Sequence, residues 1–392
     1  MIDNNLALKH LLNLLAVEGP SGKEHKVVAA ITKKLIAAGC RREWINTDDA
    51  ARRLGDAYEI GNLIVQLPGT LPAAPRILFS AHMDTVPLCK GAEPTIQGNR
   101  IVSNGKTGLG GDDRSGCAAI VTLIETLLKN NLPHPPITLL FSIAEENGLH
   151  GSRTVRFEDL GYPAMGFNLD GQEPNEIVIG AMGATRWKAA IFGKSTHAGL
   201  APHKGISAGL IASLAMARIA EKGYFGRIVQ GNQTGTSNLG TIHGGEANNQ
   251  VMDRVTLTGE CRSHSSAFLD EIVAVYRTAF EEAARQVRND EDQCGRVEFT
   301  TLSDYRSFRL DPSEACVQIA KAAVKSVGLE PNPLIMDAGL DANNFNEKGL
   351  PTVTLGSGTH QFHQTDEHVE IDEYLTACKL LLHIATHGQA AS

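Results

Sequence analysis

Paired cysteines are missing from this chain. Its seven cysteines, at 40, 89, 117, 261, 294, 316 and 378, are scattered, and no two form a C-x-x-C pair. An odd, scattered set argues against a disulfide framework and for reduced thiols, hence a cytoplasmic home. Long apolar runs are missing as well, and none approaches the ~20 residues of a membrane span. There is no basic excess: a formal net charge of −8 leaves no electrostatic case for nucleic acid or an anionic membrane. The opening stretch Met1–Pro20 has few positive charges and no small-residue cleavage site, so it reads as an amphipathic helix and not a signal peptide. The P-loop pattern with its Lys-Ser/Thr ending is absent, and so are internal repeats and low-complexity segments.

What remains is an ordinary globular composition, 42% hydrophobic and 20% charged over 392 residues, a length that suits two domains or one with a large insertion. A leucine-rich first helix ends at Gly19-Pro20, and Ser21-x-x-Glu24 resembles a capping box opening a second helix. Arg76–Ala81, Ile137–Ala144 and Pro351–Gly356 are apolar throughout, as strands covered on both faces would be. Strand–helix–strand order predicts a mixed open α/β sheet with helices on both faces, whose ligands sit outside the strands' carboxyl ends. From about Gly183 the strands alternate instead, as in an α+β module with one solvated face. The expected organisation is a catalytic domain of residues 1–182 and 305–392, interrupted by an inserted domain of residues 183–304.

The stretch Gly108–Gly116, reading GLGGDDRSG, places two adjacent acids in a glycine-rich turn before an apolar helix. An anionic turn is a poor phosphate cradle and a good seat for a cation. Other ligand-type residues close the apolar strands: His82 and Asp84 after one, Glu145 and Glu146 after another, Asp170 after a third, and His363 beyond a fourth. In H-x-D along a strand both side chains share a face, so Asp84 can take the N–H of His82 while the other ring nitrogen binds metal. Adjacent glutamates point different ways, leaving one free as a base. A histidine and carboxylate set without thiolate suits Zn²⁺, with Co²⁺ or Mn²⁺ as alternatives, and does not suit copper or an iron–sulfur cluster.

The series SAHMDTV, NGKTGLGGDDRSG, AEENG, NLDG, GKSTHAG, GGEANNQV, AGLDANNF and THQFHQTDEHV is similar to the M20 family of dizinc metallopeptidases, on its peptidase T-like branch. The resemblance implies that Asp112 bridges two metal ions. His82 and Asp170 would complete one site, Glu146 and His363 the other, with a metal-bridging water and Glu145 as general base. It also implies a cis peptide after Asp112 and an inserted lid and dimerisation domain. In that domain His197 would stabilise the oxyanion, often from the neighbouring subunit, and Arg262 would hold a substrate carboxylate. Asn249, Asp341 and Asn343 fall at substrate-binding positions. The implied activity is that of an aminopeptidase or tripeptidase on short peptides, working as a homodimer. An M20 carboxypeptidase or N-acyl-amino-acid deacylase is the alternative, and a silent zinc-binding protein on the same fold a further one. Departures from the family pattern are Arg114 in place of lysine, Leu340 beside the D-A-N aspartate, and the CRSHS sequence around Arg262.

Overall fold

The computed structural model describes residues 1–71 and 73–388. The chain divides into two compact units, one made of Met1–Ala181, Phe308–Met336 and the chain from Leu340 onward, the other of Met182–Ser307 with Asp337–Gly339. All seven cysteines are free, and six are buried. Among the described residues no helix is long and apolar enough to cross a membrane.

The first unit is built on a nine-stranded mixed sheet. At its centre Ile137–Ser142, Ile77–His82, Met165–Gly171 and Thr352–Gly356 run parallel, each bonded to the next. Their apolar runs have a simple cause. Ile77, Phe79 and Ala81 pack into the main core on one face, while Leu78 joins Ile64, Leu140, Phe345 and Leu350 on the other. A strand buried on both faces has no solvated positions to alternate with. The helix Gly111–Lys129 lies against the first face and is buried along most of its length. Leu63–Leu67 and Glu176–Ala181 pair antiparallel to the central strands, which makes the sheet mixed. A separate four-stranded sheet joins Thr359–His360, His368–Glu370, Arg100–Val102 and Thr95–Gln97.

The second unit is a five-stranded antiparallel sheet whose core contains the helices Ala208–Glu221 and Ser266–Gln286. Gly183–Phe192 alternates between buried and exposed positions, as a strand with one covered face must. Its strand Gln233–Gly244 went unread in the sequence. QTGTSNLGTIHG is largely polar and glycine-rich, and it carries a register shift between Leu239 and Thr241. At the centre of this unit Trp187 packs on Tyr276 and Phe299, ring centroids 5.0 and 6.0 Å away.

The capping box expected at Ser21 and Glu24 does not form. The helix begins at His25 with no side-chain cap, and both residues have partners elsewhere in the fold. Trp187 offers a direct test of the second unit's core. Trp187→Ala should destabilise it by about 3–5 kcal/mol, the usual result of truncating a buried tryptophan. Chemical denaturation followed by circular dichroism measures this, and an unchanged midpoint would show that the ring does not anchor that core.

Candidate metal centre

Each central strand of the first unit delivers chemistry at its carboxyl end because the chain must leave the buried sheet there and can afford polar groups. His82 ends Ile77–His82, Glu145 and Glu146 follow Ile137–Ser142, and Asp170 lies near the end of Met165–Gly171. The loop beyond Thr352–Gly356 carries His363. These side chains meet. His82 Nε2 lies 2.9 Å from Asp112 Oδ1 and 3.8 Å from Asp170 Oδ1. His363 Nε2 lies 2.8 Å from Glu146 Oε2 and 3.3 Å from Asp112 Oδ2. The two oxygens of Asp112 thus face two different ligand sets.

The residues fit a metal. His82, Asp112 and Glu146 offer donor atoms that all lie within 4.8 Å of one another. Glu146 Oε1 is buried without a hydrogen-bond partner, a costly state for a carboxylate oxygen unless something positive sits beside it. Electrostatics agree. Burial, and then the neighbouring charge of Asp112, push the Asp170 carboxyl well above its ordinary range, while burial and Asp341 do so for Glu145. Burial alone would favour a neutral His82 ring, but the Asp112 and Asp84 carboxylates outweigh it and raise its pKa. Hydrogen bonds that the ring donates to the Asp112 and Glu146 carboxylates raise His363 to about 10.

Asp113 also brings an oxygen within 4.8 Å of donor atoms on His82 and Asp170. Its two oxygens, however, accept the main-chain N–H groups of His82 and Gly116, at 3.2 and 3.0 Å. Asp112 has no such partners, which favours it as the ligand. The peptide between the two aspartates is cis.

Asp84 differs from expectation. His82 Nδ1 lies nearer the Asp84 main-chain oxygen (3.1 Å) than its carboxylate (3.4 Å). The carboxylate instead accepts the N–H groups of Glu145 and Glu146, at 3.0 and 3.2 Å, and the Ser21 hydroxyl at 2.7 Å. It holds the backbone that presents both glutamates. Glu24, buried and pushed up to about 7 by that burial and the nearby Asp84, accepts the N–H of Gly22 and of Ala144 just before Glu145. Among the described residues no side chain hydrogen-bonds the Glu145 carboxylate, so it is free for proton transfer.

Two of the expected substrate residues lie deep in the first unit. Asp341 and Asn343 are 1% and 0% exposed at the start of the helix Asp341–Glu347. Asp341 accepts the Ser142 hydroxyl, and Asn343 Oδ1 accepts the Leu340 N–H. Arg114 is equally buried. Its guanidinium donates to the carbonyls of Leu14, Val17 and Gly19, a three-way clasp that a lysine at this position would make with a single nitrogen.

The other expected residues belong to the second unit. His197 is exposed, and its Nδ1 accepts the N–H groups of Gly199 and Leu200 at 3.1 and 3.2 Å. A nitrogen that accepts cannot carry the proton, so Nε2 is the donor of the neutral ring. Asn249 is exposed, and its main-chain oxygen accepts the Ala198 N–H. Arg262 is not free: its fork is held by Glu260, at 3.0 and 3.1 Å. The sequence pattern gives Glu24 only a local capping role and does not single out Glu367, a buried glutamate that accepts the N–H groups of Leu109, Gly110 and Asp112. Their partners are main-chain groups, which leave no mark in a sequence.

Comparison with known proteins decides the family. The model of peptidase family M20/M25/M40 matches residues 78–387. The chain belongs to this family. It is 31% identical over 385 residues to an uncharacterised protein, YqjE, of Bacillus subtilis, covering 98% of each chain. It is 26% identical to peptidase T of Clostridium perfringens, covering 79% of this chain and 81% of that one. Among solved structures, aminopeptidase PepT from Bacillus cereus superposes with a TM-score of 0.87 at 31% identity, and a tripeptidase from Staphylococcus aureus with 0.89 at 29%, each covering 100% of both chains.

For this M20 peptidase, Asp84→Asn should show whether the clasp on Glu145 and Glu146 matters. The amide must turn its NH₂ toward one of two main-chain N–H groups, leaving a buried donor unpaired at about 1–3 kcal/mol. A thermal melt should record that loss, and a variant as stable as the parent would show that the clasp carries no stability.

Proposed function

We propose that this chain is a dinuclear metallopeptidase, most suited to Zn²⁺, that hydrolyses short peptides as an aminopeptidase or tripeptidase. The observation that carries this reading is the position of Asp112, one oxygen toward His82 and the other toward His363 and Glu146. The names of its relatives, peptidase T, aminopeptidase and tripeptidase, support the substrate class. His82, Asp112 and Asp170 would hold one ion, and Asp112, Glu146 and His363 the other. When bound, the ions would polarise the scissile carbonyl and lower the pKa of water.

The chain's own residues do the rest. Glu145 takes the proton of the attacking water on its free carboxylate and returns it to the leaving amine. Burial and neighbouring acids raise its proton affinity, which suits a base that must also act as an acid. Asp84 and Glu24 fix the turn from which Glu145 projects. His197 has its Nε2–H available to donate to the developing oxyanion. Arg262 would hold a substrate carboxylate once Glu260 yields, and Asn249, beside the His197 segment, would make a separate substrate contact. We assign the second unit as the lid and as the contact surface of a homodimer. The lack of paired cysteines supports a cytoplasmic setting.

Metal analysis tests the centre: two divalent ions should bind per chain, and chelation should abolish activity. One ion or none in fully loaded protein would overturn the reading. Glu145→Gln should keep both ions while losing about 10²–10⁴-fold in kcat, because the amide keeps the shape but cannot take a proton. Loss of metal in that variant would mean that Glu145 is a ligand. His197→Ala should lower kcat by about 10²–10³-fold with metal content unchanged. Full activity in that variant would remove His197 from the mechanism.

A further inference from the structure

One more buried carboxylate meets the metal-binding turn, and it comes from the far end of the sequence. Glu367 is 1% exposed. Its Oε2 accepts the N–H groups of Leu109 and Gly110 at 2.7 and 2.8 Å, and its Oε1 that of Asp112 at 3.1 Å. The Cys89 thiol donates to Oε2 at 3.7 Å. Three main-chain donors on one carboxylate form a strong, charge-assisted clamp.

The glycines of the turn make room for it. A Cβ at Gly108 would come within 3.1 Å of Glu367 Oε2, and one at Gly111 within 2.7 Å of Thr359 Cγ2. Gly110 has φ +76°, a left-handed conformation that glycine adopts without strain. The turn is therefore glycine-rich so that it can lie against the segment 359–369. That segment also carries His363, so one short stretch supplies a ligand and fixes the main chain of another.

We propose that Glu367 is a positioning residue of the metal centre. By holding the Asp112 N–H, it stops the Asp112 peptide from turning and keeps the two carboxylate oxygens aimed at their separate ligand sets. By lying on the His363 loop, it sets the spacing between the two ligands. This inference rests on the dinuclear reading above.

The test is Glu367→Gln, which keeps size and shape. The amide has one oxygen, and in the orientation that keeps the Leu109 and Gly110 bonds its NH₂ faces the Asp112 N–H. Zn²⁺ affinity is measured by competition with a chromophoric chelator, alongside kcat, KM and the visible spectrum of the Co²⁺-loaded protein. Partners of this kind commonly change metal affinity or activity by about 10–100-fold. We expect weakening of that order in the affinity of at least one ion, with lower kcat, little change in KM and a shifted Co²⁺ band. Wild-type affinity, kcat and Co²⁺ spectrum, with loss only in thermal stability, would overturn the proposal. If Glu367→Gln does not fold, Glu367→Asp, which keeps the charge but withdraws it by one methylene, should show a smaller weakening in the same direction. A folded Glu367→Asp variant with wild-type affinity and spectrum overturns the proposal equally. Failure of the wild-type protein to bind two ions would instead bring down the dinuclear reading itself.

Discussion

The structure is organised by a crowding of like charge. Asp112, Glu145, Glu146 and Asp170 meet at one edge of a sheet that excludes water, with Asp113 and Asp341 close behind them. Two unit charges 4 Å apart cost about 4 kcal/mol at an effective dielectric of 20, more than a typical hydrogen bond returns. No ordinary network of neutral partners can offset several such pairs. The raised proton affinities of His82, His363, Glu145 and Asp170 are the same fact seen from the other side. The centre attracts positive charge, and divalent ions supply it more compactly than protons do.

A second regularity separates the acids by task. Asp84, Asp113, Glu24 and Glu367 each accept two or three main-chain N–H groups. Among the described residues, none donates a main-chain N–H to the carboxylates of Asp112, Glu145, Glu146 and Asp170. An oxygen already paired with the backbone is stabilised as an anion but has lost the directions from which an ion or a water proton could approach. The first group therefore shapes the backbone, and the second is left for chemistry. This division distinguishes Asp112 from Asp113, where adjacency in sequence does not. It also explains why Asp84 sits beside a ligand and still acts mainly through Glu145 and Glu146.

Much of this was legible in the sequence because parallel strands buried on both faces read as unbroken apolar runs, and the residues just past each run stand at one edge. His82, Asp84, Glu145, Glu146, Asp170 and His363, with the acidic turn Asp112–Asp113, could be gathered by that logic, while the choice of Asp112 and Glu146 as ligands rests on the resemblance to the M20 family. The positioning roles could not be gathered so. Ser21 and Glu24 have the spacing of a capping box, but their partners are Asp84 and Ala144, far along the chain, and tertiary contacts win over a local motif worth about 1 kcal/mol. Asp341 and Asn343 occupy a motif that suggests substrate, and the fold buries them beside Ser142 and Leu340, contacts the motif does not announce. The strand Gln233–Gly244 was hidden for a different reason: its polar, glycine-rich sequence has no apolar rhythm, and ladder bonds from neighbouring strands make it a strand.

Arg262 shows where magnitude decides a role that geometry leaves open. Its fork is held by Glu260, two residues away on the same face of its strand, so a substrate carboxylate must compete with one already in place. Both side chains are about one-third exposed, at 31% and 38%. A pair so open to water is worth about 0.2–1 kcal/mol, well below the several kcal/mol that a buried pair resists with. Displacing Glu260 therefore costs little, and the released glutamate regains water. The pairing holds the planar guanidinium in one orientation. If Arg262 is the substrate anchor proposed above, the pairing would also give selectivity, since a neutral C-terminal amide cannot replace a carboxylate in a bidentate fork. On the proposed role of Arg262, Glu260 would be an internal occupant of its fork, weak enough to leave when a free peptide terminus arrives.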